Sequence, residues 1–212
     1  MSDSYYVAFD SETGGLNPAS ADMLTFYMAI VDRNFKILDE IDLKLKPDSR
    51  LPVAEEGALK VNGIDLYKHL ADPGIVTYSE AKEKILVLLK KYLKKKGRYS
   101  NLTPLGQNVQ FDIDWLQHHI LPKEEYDKLL HYGKMDTKMI TDFMKAATWL
   151  PPDLGSLDSL AKHFNVALSN AHNAKADTLA TVEIYKKLLE LMASRKDGGG
   201  QGVDLVSLLE SE

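Results

Sequence analysis

Three short stretches of this 212-residue chain carry side chains suited to metal and acid–base chemistry. Asp10-Ser11-Glu12 ends an apolar run and stands just ahead of Thr13-Gly14-Gly15-Leu16. Gly106-Gln107-Asn108-Val109-Gln110-Phe111-Asp112 follows a second apolar run. Ala171-His172-Asn173-Ala174-Lys175-Ala176-Asp177 opens a long amphipathic stretch. Residues two apart on a strand point to one face, so the Asp10 and Glu12 carboxylates can converge. Crowded carboxylates repel and raise one another's pKa, and divalent cations with oxygen ligands make such a cluster stable. An imidazole with an ordinary pKa of about 6.5 can take a proton that metal-bound carboxylates cannot. Each stretch by itself has a plainer reading. Asp10 and Glu12 could mark a polar loop entry, Asp112 a helix N-cap, His172 a capping or exposed residue, and Asp177 a first-turn acid. Asp114 needs only that last role.

The elements that must position these residues are legible in outline. Residues 5–9 form a short apolar run that fits a buried strand ending at Asp10, with a loop at Gly14, Gly15 and Pro18. Residues 23–31 and 35–45 flank the turn-like Asp32-Arg33-Asn34 and read as a hairpin. A short helix is expected over 52–61. Thr77 and Glu80 have capping-box spacing, and Ala81, Ile85, Leu86, Leu89, Tyr92 and Leu93 form one apolar stripe, with Gly97 placed to end that helix. Residues 102–106 read as another strand. Helical patterns follow at 112–120, 137–149, 156–164 and 174–193. Strands first, then strands among helices, point to an α/β fold with one mixed sheet covered by helices.

The three motifs in this order, Asp-x-Glu-Thr after a strand, Asn-x-x-Phe-Asp and His-x-x-x-x-Asp, resemble the DnaQ-like 3′→5′ exonucleases of the DEDDh group. The likeness runs from about Tyr6 to about Leu189. Leu59-Lys60-Val61-Asn62-Gly63-Ile64, Met135-Asp136-Thr137 and Leu157-Asp158-Ser159-Leu160-Ala161 look like that family's connecting segments. The resemblance implies an RNase H-like fold, a five-stranded mixed sheet with helices on both faces. It implies that Asp10, Glu12, Asp112 and Asp177 hold two divalent cations, Mg²⁺ or Mn²⁺, and that His172 is the general base. Thr13 and Leu16, with Asn108 and Phe111, would meet the terminal nucleotide. Gln107 stands where many relatives carry His, which is expected to tune the site. The implied substrate is the 3′ end of single-stranded DNA, hydrolysed to 5′-mononucleotides in proofreading, repair or recycling. RNA 3′ ends or short oligoribonucleotides are the alternative, and a non-cleaving nucleic-acid or polymerase-binding module is the alternative of another class. With no polymerase segment in the chain, proofreading would act in trans.

Composition sets the remaining bounds. Cysteine is absent, which excludes disulfides and thiolate chemistry, and there is no long apolar run of the kind that spans a membrane. The N-terminus lacks the pattern of a signal peptide, so a cytoplasmic location is expected. The formal net charge of −5 argues against nucleic acid when taken alone. Four acids, Asp197, Asp204, Glu210 and Glu212, lie beyond Lys196, where no Lys or Arg occurs, so residues 1–196 carry only −1. With two bound divalent ions that body would stand at about +3. Lys90, Lys91, Lys94, Lys95, Lys96 and Arg98 crowd one helix end, where cations favour the helix dipole and could also track phosphates. The expected division is an exonuclease domain over 1–196 and a Gly-rich linker with a short apolar segment over 197–212. Residues 203–209 would pack on the domain or dock on a protein partner.

Overall fold

A computed structural model describes residues 4–168 and 172–197. The first strand, β1 (Tyr5–Thr13), is longer than the apolar run alone suggests and carries Asp10 and Glu12 within it. Its neighbour β2 (Met23–Val31) pairs with it antiparallel, and β3 (Ile37–Lys46) closes the expected hairpin. Two short helices follow, α1 (Glu56–Asn62) and α2 (Leu66–Leu70), then the brief strand β4 (Ile75–Thr77). The helix α3 (Tyr78–Tyr92) starts at the Thr77–Glu80 capping box. It stops at an extended Leu93, before Gly97, whose φ of +66° opens a single 3₁₀ turn over Gly97–Tyr99. The strand β5 (Leu102–Gly106) leads into α4 (Val109–His119), and α5 (Lys123–Leu129) leads to the two-residue strand β6 (Met135–Asp136). Three helices finish the fold, α6 (Thr137–Ala146), α7 (Leu157–Phe164) and α8 (Ala174–Asp197).

The sheet has the order β4-β3-β2-β1-β5-β6, six strands where five were expected. The additional pairings are short: β4 adds three residues beside β3 and β6 two beside β5, both parallel. Neither is long enough to show an alternating pattern in sequence. Alternation along β1 divides the molecule. Val7 and Phe9 enter a core with α3 and α4, built around Ile85, Leu89, Trp115 and Leu116. Tyr6 and Ala8 face the other way, onto Ala174, Val182 and Tyr185 of α8. A third cluster joins α6, α7 and the distal half of α8 through Met144, Leu160, Ile184 and Leu188. By the same period, Asp10 and Glu12 share the α8 face, while Ser11 shares the α4 face. Gly198, Gly199, Gly200 and the apolar segment 203–209 lie outside the described residues.

Candidate active site

The ends of β1 and α8 bring three carboxylates together. Ligand oxygens of Asp10, Glu12 and Asp177 all lie within 4.8 Å of one another. Asp112 approaches from the opposite face of the sheet. It is not an N-cap: α4 begins at Val109, and Asp112 sits a turn inside it with 3 % of its surface exposed. The capping position belongs to Asn108, in a left-handed conformation with φ of 57°. Ser11 holds Asp112 from across β1, donating its hydroxyl to Oδ1 at 2.6 Å. The β1 residue between Asp10 and Glu12 therefore orients the fourth acid, Asp112, a role that Ser11 does not advertise in sequence. Asp114 is exposed on the far side of α4 and accepts only from Gln110 at 2.6 Å.

Electrostatics follow from this crowding. Burial pushes Asp10 well above the usual carboxylate range, and the charges of Asp112, Glu12 and Asp177 push it further. Glu12 is pushed up to about 8, by burial first and then by Asp177 and Asp112. Burial raises Asp112 to about 7 against the opposing hydrogen bonds from Ser11. Asp177 is raised by burial, while the His172 backbone N–H, donating to Oδ2 at 3.2 Å, pulls it down. The other oxygen, Asp177 Oδ1, is shielded from solvent and has no hydrogen-bond donor. A buried acceptor without a donor is costly unless a cation takes the donor's place. Four acids all raised by burial, Asp10 and Glu12 also by their acidic neighbours, and one with an orphaned oxygen fit a hard divalent cation. His172 is exposed, adopts a left-handed φ of 67°, and lines a cleft of about 460 Å³ with Glu12.

A second cleft, of about 470 Å³, opens on the other side of Glu12. Thr13, Leu16 and Phe111 line it; Asn108 is not among its lining residues. Leu16 is 85 % exposed, and the opposite wall is Ala58, Val61 and Asn62 of α1. From sequence, Val61 and Asn62 were named only as part of a connecting segment and Ala58 was not named, because an exposed apolar wall looks like any surface helix. Asn62 also donates to the Thr13 carbonyl at 3.2 Å, and the Thr13 hydroxyl is spent on the Gly15 carbonyl at 2.7 Å. The turn after β1 is tied down from outside. The buried Asp22 accepts from Arg50 at 2.9 Å and from the Val53 N–H at 2.7 Å, and Gly14 donates to the Asp22 carbonyl at 2.7 Å. A Cβ on Gly14 would stand 2.6 Å from the Val53 oxygen, so only glycine admits this close approach. On the α4 side, the Asp136 carboxylate accepts from the N–H groups of Asn108 and Val109 at 2.9 and 3.1 Å, and also caps α6 through Lys138. Gln107 accepts from the Thr137 hydroxyl and donates to the Gly155 carbonyl at 3.4 Å, joining β5 to α6 and the loop before α7.

The architecture and its chemistry have clear relatives. The model of the exonuclease family matches residues 7–185. The PolC-type DNA polymerase III of Clostridium perfringens is 26% identical over 199 residues, and that of Caldanaerobacter subterraneus is 28% identical over 188. These alignments cover 92% and 87% of this chain but only 12% of each polymerase. The structure of E. coli exonuclease I in complex with a dT13 oligonucleotide superposes with a TM-score of 0.71 at 23% identity, over 92% of this chain and 43% of exonuclease I. Among the described residues, no helix is long and apolar enough to cross a membrane. The chain belongs to the exonuclease family, in the DnaQ-like DEDDh group of the RNase H-like superfamily.

Proposed function

We propose that the chain is a metal-dependent 3′→5′ exonuclease that removes 5′-mononucleotides from single-stranded DNA. The observation that carries this reading is the convergence of Asp10, Glu12 and Asp177 within 4.8 Å, with the buried Asp112 close enough for its charge to raise Asp10. These four residues would hold two divalent ions, Mg²⁺ or Mn²⁺. When bound, the ions supply positive charge that polarises the scissile phosphate and acidifies water. The chain's own residues do the rest. His172, at the mouth of the cleft beside Glu12, accepts the proton of the attacking water. The water oxygen bonds to phosphorus, the bond to the preceding nucleotide's 3′ oxygen breaks, and that oxygen leaves with a proton from solvent. Leu16, Val61 and Phe111 offer apolar surface to the terminal base, and Thr13 meets the same nucleotide through its backbone. Asn108, at the exposed start of α4, would act from the rim.

The dT13 strand bound to exonuclease I supports DNA over RNA as the substrate. A direct comparison tests the preference. Matched DNA and RNA strands, single and paired, are incubated with the protein in Mg²⁺. Faster shortening of single-stranded DNA is expected, and faster shortening of RNA would reassign the substrate.

A further inference from the structure

The basic run after α3 is split by the fold. Lys91 faces the sheet edge and pairs with Asp39 at 2.7 Å. Lys95 turns the other way, into a cleft of about 440 Å³ shared with Arg33, Tyr99, His131 and Lys134. Among the described residues, no carboxylate lines this cleft. Beside it the Arg98 guanidinium lies 5.6 Å from the centre of the Tyr99 ring and 5.0 Å from that of Tyr132. Both rings are largely open to solvent, 70% and 69% exposed. A neighbouring cleft, also lined by Arg98, Tyr132 and Lys134, does contain acids, but Asp127 is paired with Lys123 at 2.9 Å and Asp114 accepts from Gln110. Among the described residues, Lys95, Lys96, Arg98 and Lys134 form no ion pair with a carboxylate.

This face lies at the start of β1 and β5, the end of the sheet opposite the carboxylates. Asp10 lies six residue steps beyond Ser4, and at a strand rise of about 3.3 Å per residue that is about 20 Å. Uncompensated cations interleaved with exposed aromatic rings match a ligand that carries both repeated negative charge and flat π faces. An acidic peptide would use the charges but leave the tyrosines idle. We propose that Arg33, Lys95, Arg98, Lys134, Tyr99 and Tyr132 form a second binding surface for single-stranded nucleic acid, which holds the strand upstream of the end being cleaved. The inference rests on the exonuclease reading for its purpose, though not for its binding measurement.

The test compares the full chain with a Lys95→Glu, Arg98→Glu variant and a Tyr99→Ala, Tyr132→Ala variant. Circular dichroism checks folding of each. Binding of a fluorescent tetrathymidylate and of an oligothymidylate several tens of residues long is followed by anisotropy in EDTA, across a salt series. Both variants should bind the long strand about tenfold more weakly, and the charge variant should also lose about 0.7 of salt slope per phosphate contact removed. Binding and Mg²⁺-dependent hydrolysis of the tetrathymidylate should be unchanged. Unaltered long-strand binding in the charge variant would overturn the proposal. Loss in the charge variant with none in the tyrosine variant would also overturn it, in favour of a generic acidic partner. If the parent fails to hydrolyse tetrathymidylate, the exonuclease reading fails, while the EDTA binding series still decides the surface.

Discussion

Replacing Asp10 by Asn is expected to stabilise the metal-free protein at alkaline pH while removing its hydrolytic activity. Asn keeps the shape of the side chain and removes its charge. With ligand oxygens within 4.8 Å, two unit charges at an effective dielectric constant of about 20 repel by about 3.5 kcal/mol. The substitution deletes two of the three close pairs among Asp10, Glu12 and Asp177. Protonation relieves part of this repulsion in the parent, since Glu12 is pushed up to about 8. A carboxylate raised in the folded state binds its proton more tightly there than in the unfolded chain. Its contribution to stability is fully present below the ordinary value of 4.5 and is lost as pH climbs through about 8. The gain from Asp10→Asn should therefore be close to zero at about pH 5 and about 3 kcal/mol at about pH 9. For a chain of this size that is a rise in Tm of roughly 6–12 °C. Thermal melts by circular dichroism in EDTA measure it. Adding Mg²⁺ should raise the Tm of the parent most at high pH, and raise that of the variant far less. A variant that melts at or below the parent at about pH 9 in EDTA would refute the electrostatic reasoning.

Other perturbations separate the remaining roles. His172→Ala should lower turnover by about 10²–10⁴-fold, as loss of a general base does, with the Mg²⁺-induced rise in Tm kept; a normal rate at neutral pH would remove His172 as base. Ser11→Ala leaves Asp112 short of a donor, raises its pKa further, and should move the acid limb of the pH–rate profile to higher pH, because a ligand carboxylate must be ionised. Asp136→Ala uncaps α4 and α6 together and should cost about 1–4 kcal/mol, read as a fall in denaturation midpoint, with less loss in Asp136→Asn. Leu16→Ala should raise KM for single strands with almost no change in Tm, since the side chain is 85 % exposed.

Local signals carried much of the fold. The Thr77–Glu80 capping box, the hairpin around Asp32-Arg33-Asn34 and the strand at Leu102–Gly106 each follow from a few neighbouring residues, and each is present in the structure. Strand period puts Asp10 and Glu12 on one face, as expected, while Asp177 was singled out only through the resemblance; the structure brings the three to one end of the sheet. What sequence missed depends on long-range contact. The plainer reading of Asp112 as a helix cap fails because Asp136, 24 residues later, does the capping, while Ser11, which nothing in the sequence marks, holds Asp112, one of the four acids the resemblance singled out. β6 exists only because Met135 and Asp136 lie beside Leu105 and Gly106. The net charge of −5 pointed away from nucleic acid. The structure redistributes that charge: acids gather at one end of the sheet, and among the described residues no carboxylate lines the basic cleft at the far end of β1.

If Asp10, Glu12, Asp112 and Asp177 hold divalent ions and the protein hydrolyses strands from the 3′ end, polarity and metal dependence can both be read on one substrate. The most direct test follows one single-stranded DNA labelled at its 5′ end and the same strand labelled at its 3′-terminal nucleotide, with parent and Asp177→Asn, in Mg²⁺ and in EDTA. The parent in Mg²⁺ should release the 3′ label at once as a 5′-mononucleotide and shorten the 5′-labelled strand one residue at a time, with EDTA or Asp177→Asn stopping both. Internal cleavage, cleavage that persists in EDTA, or full activity in Asp177→Asn would overturn the metal-dependent 3′→5′ reading.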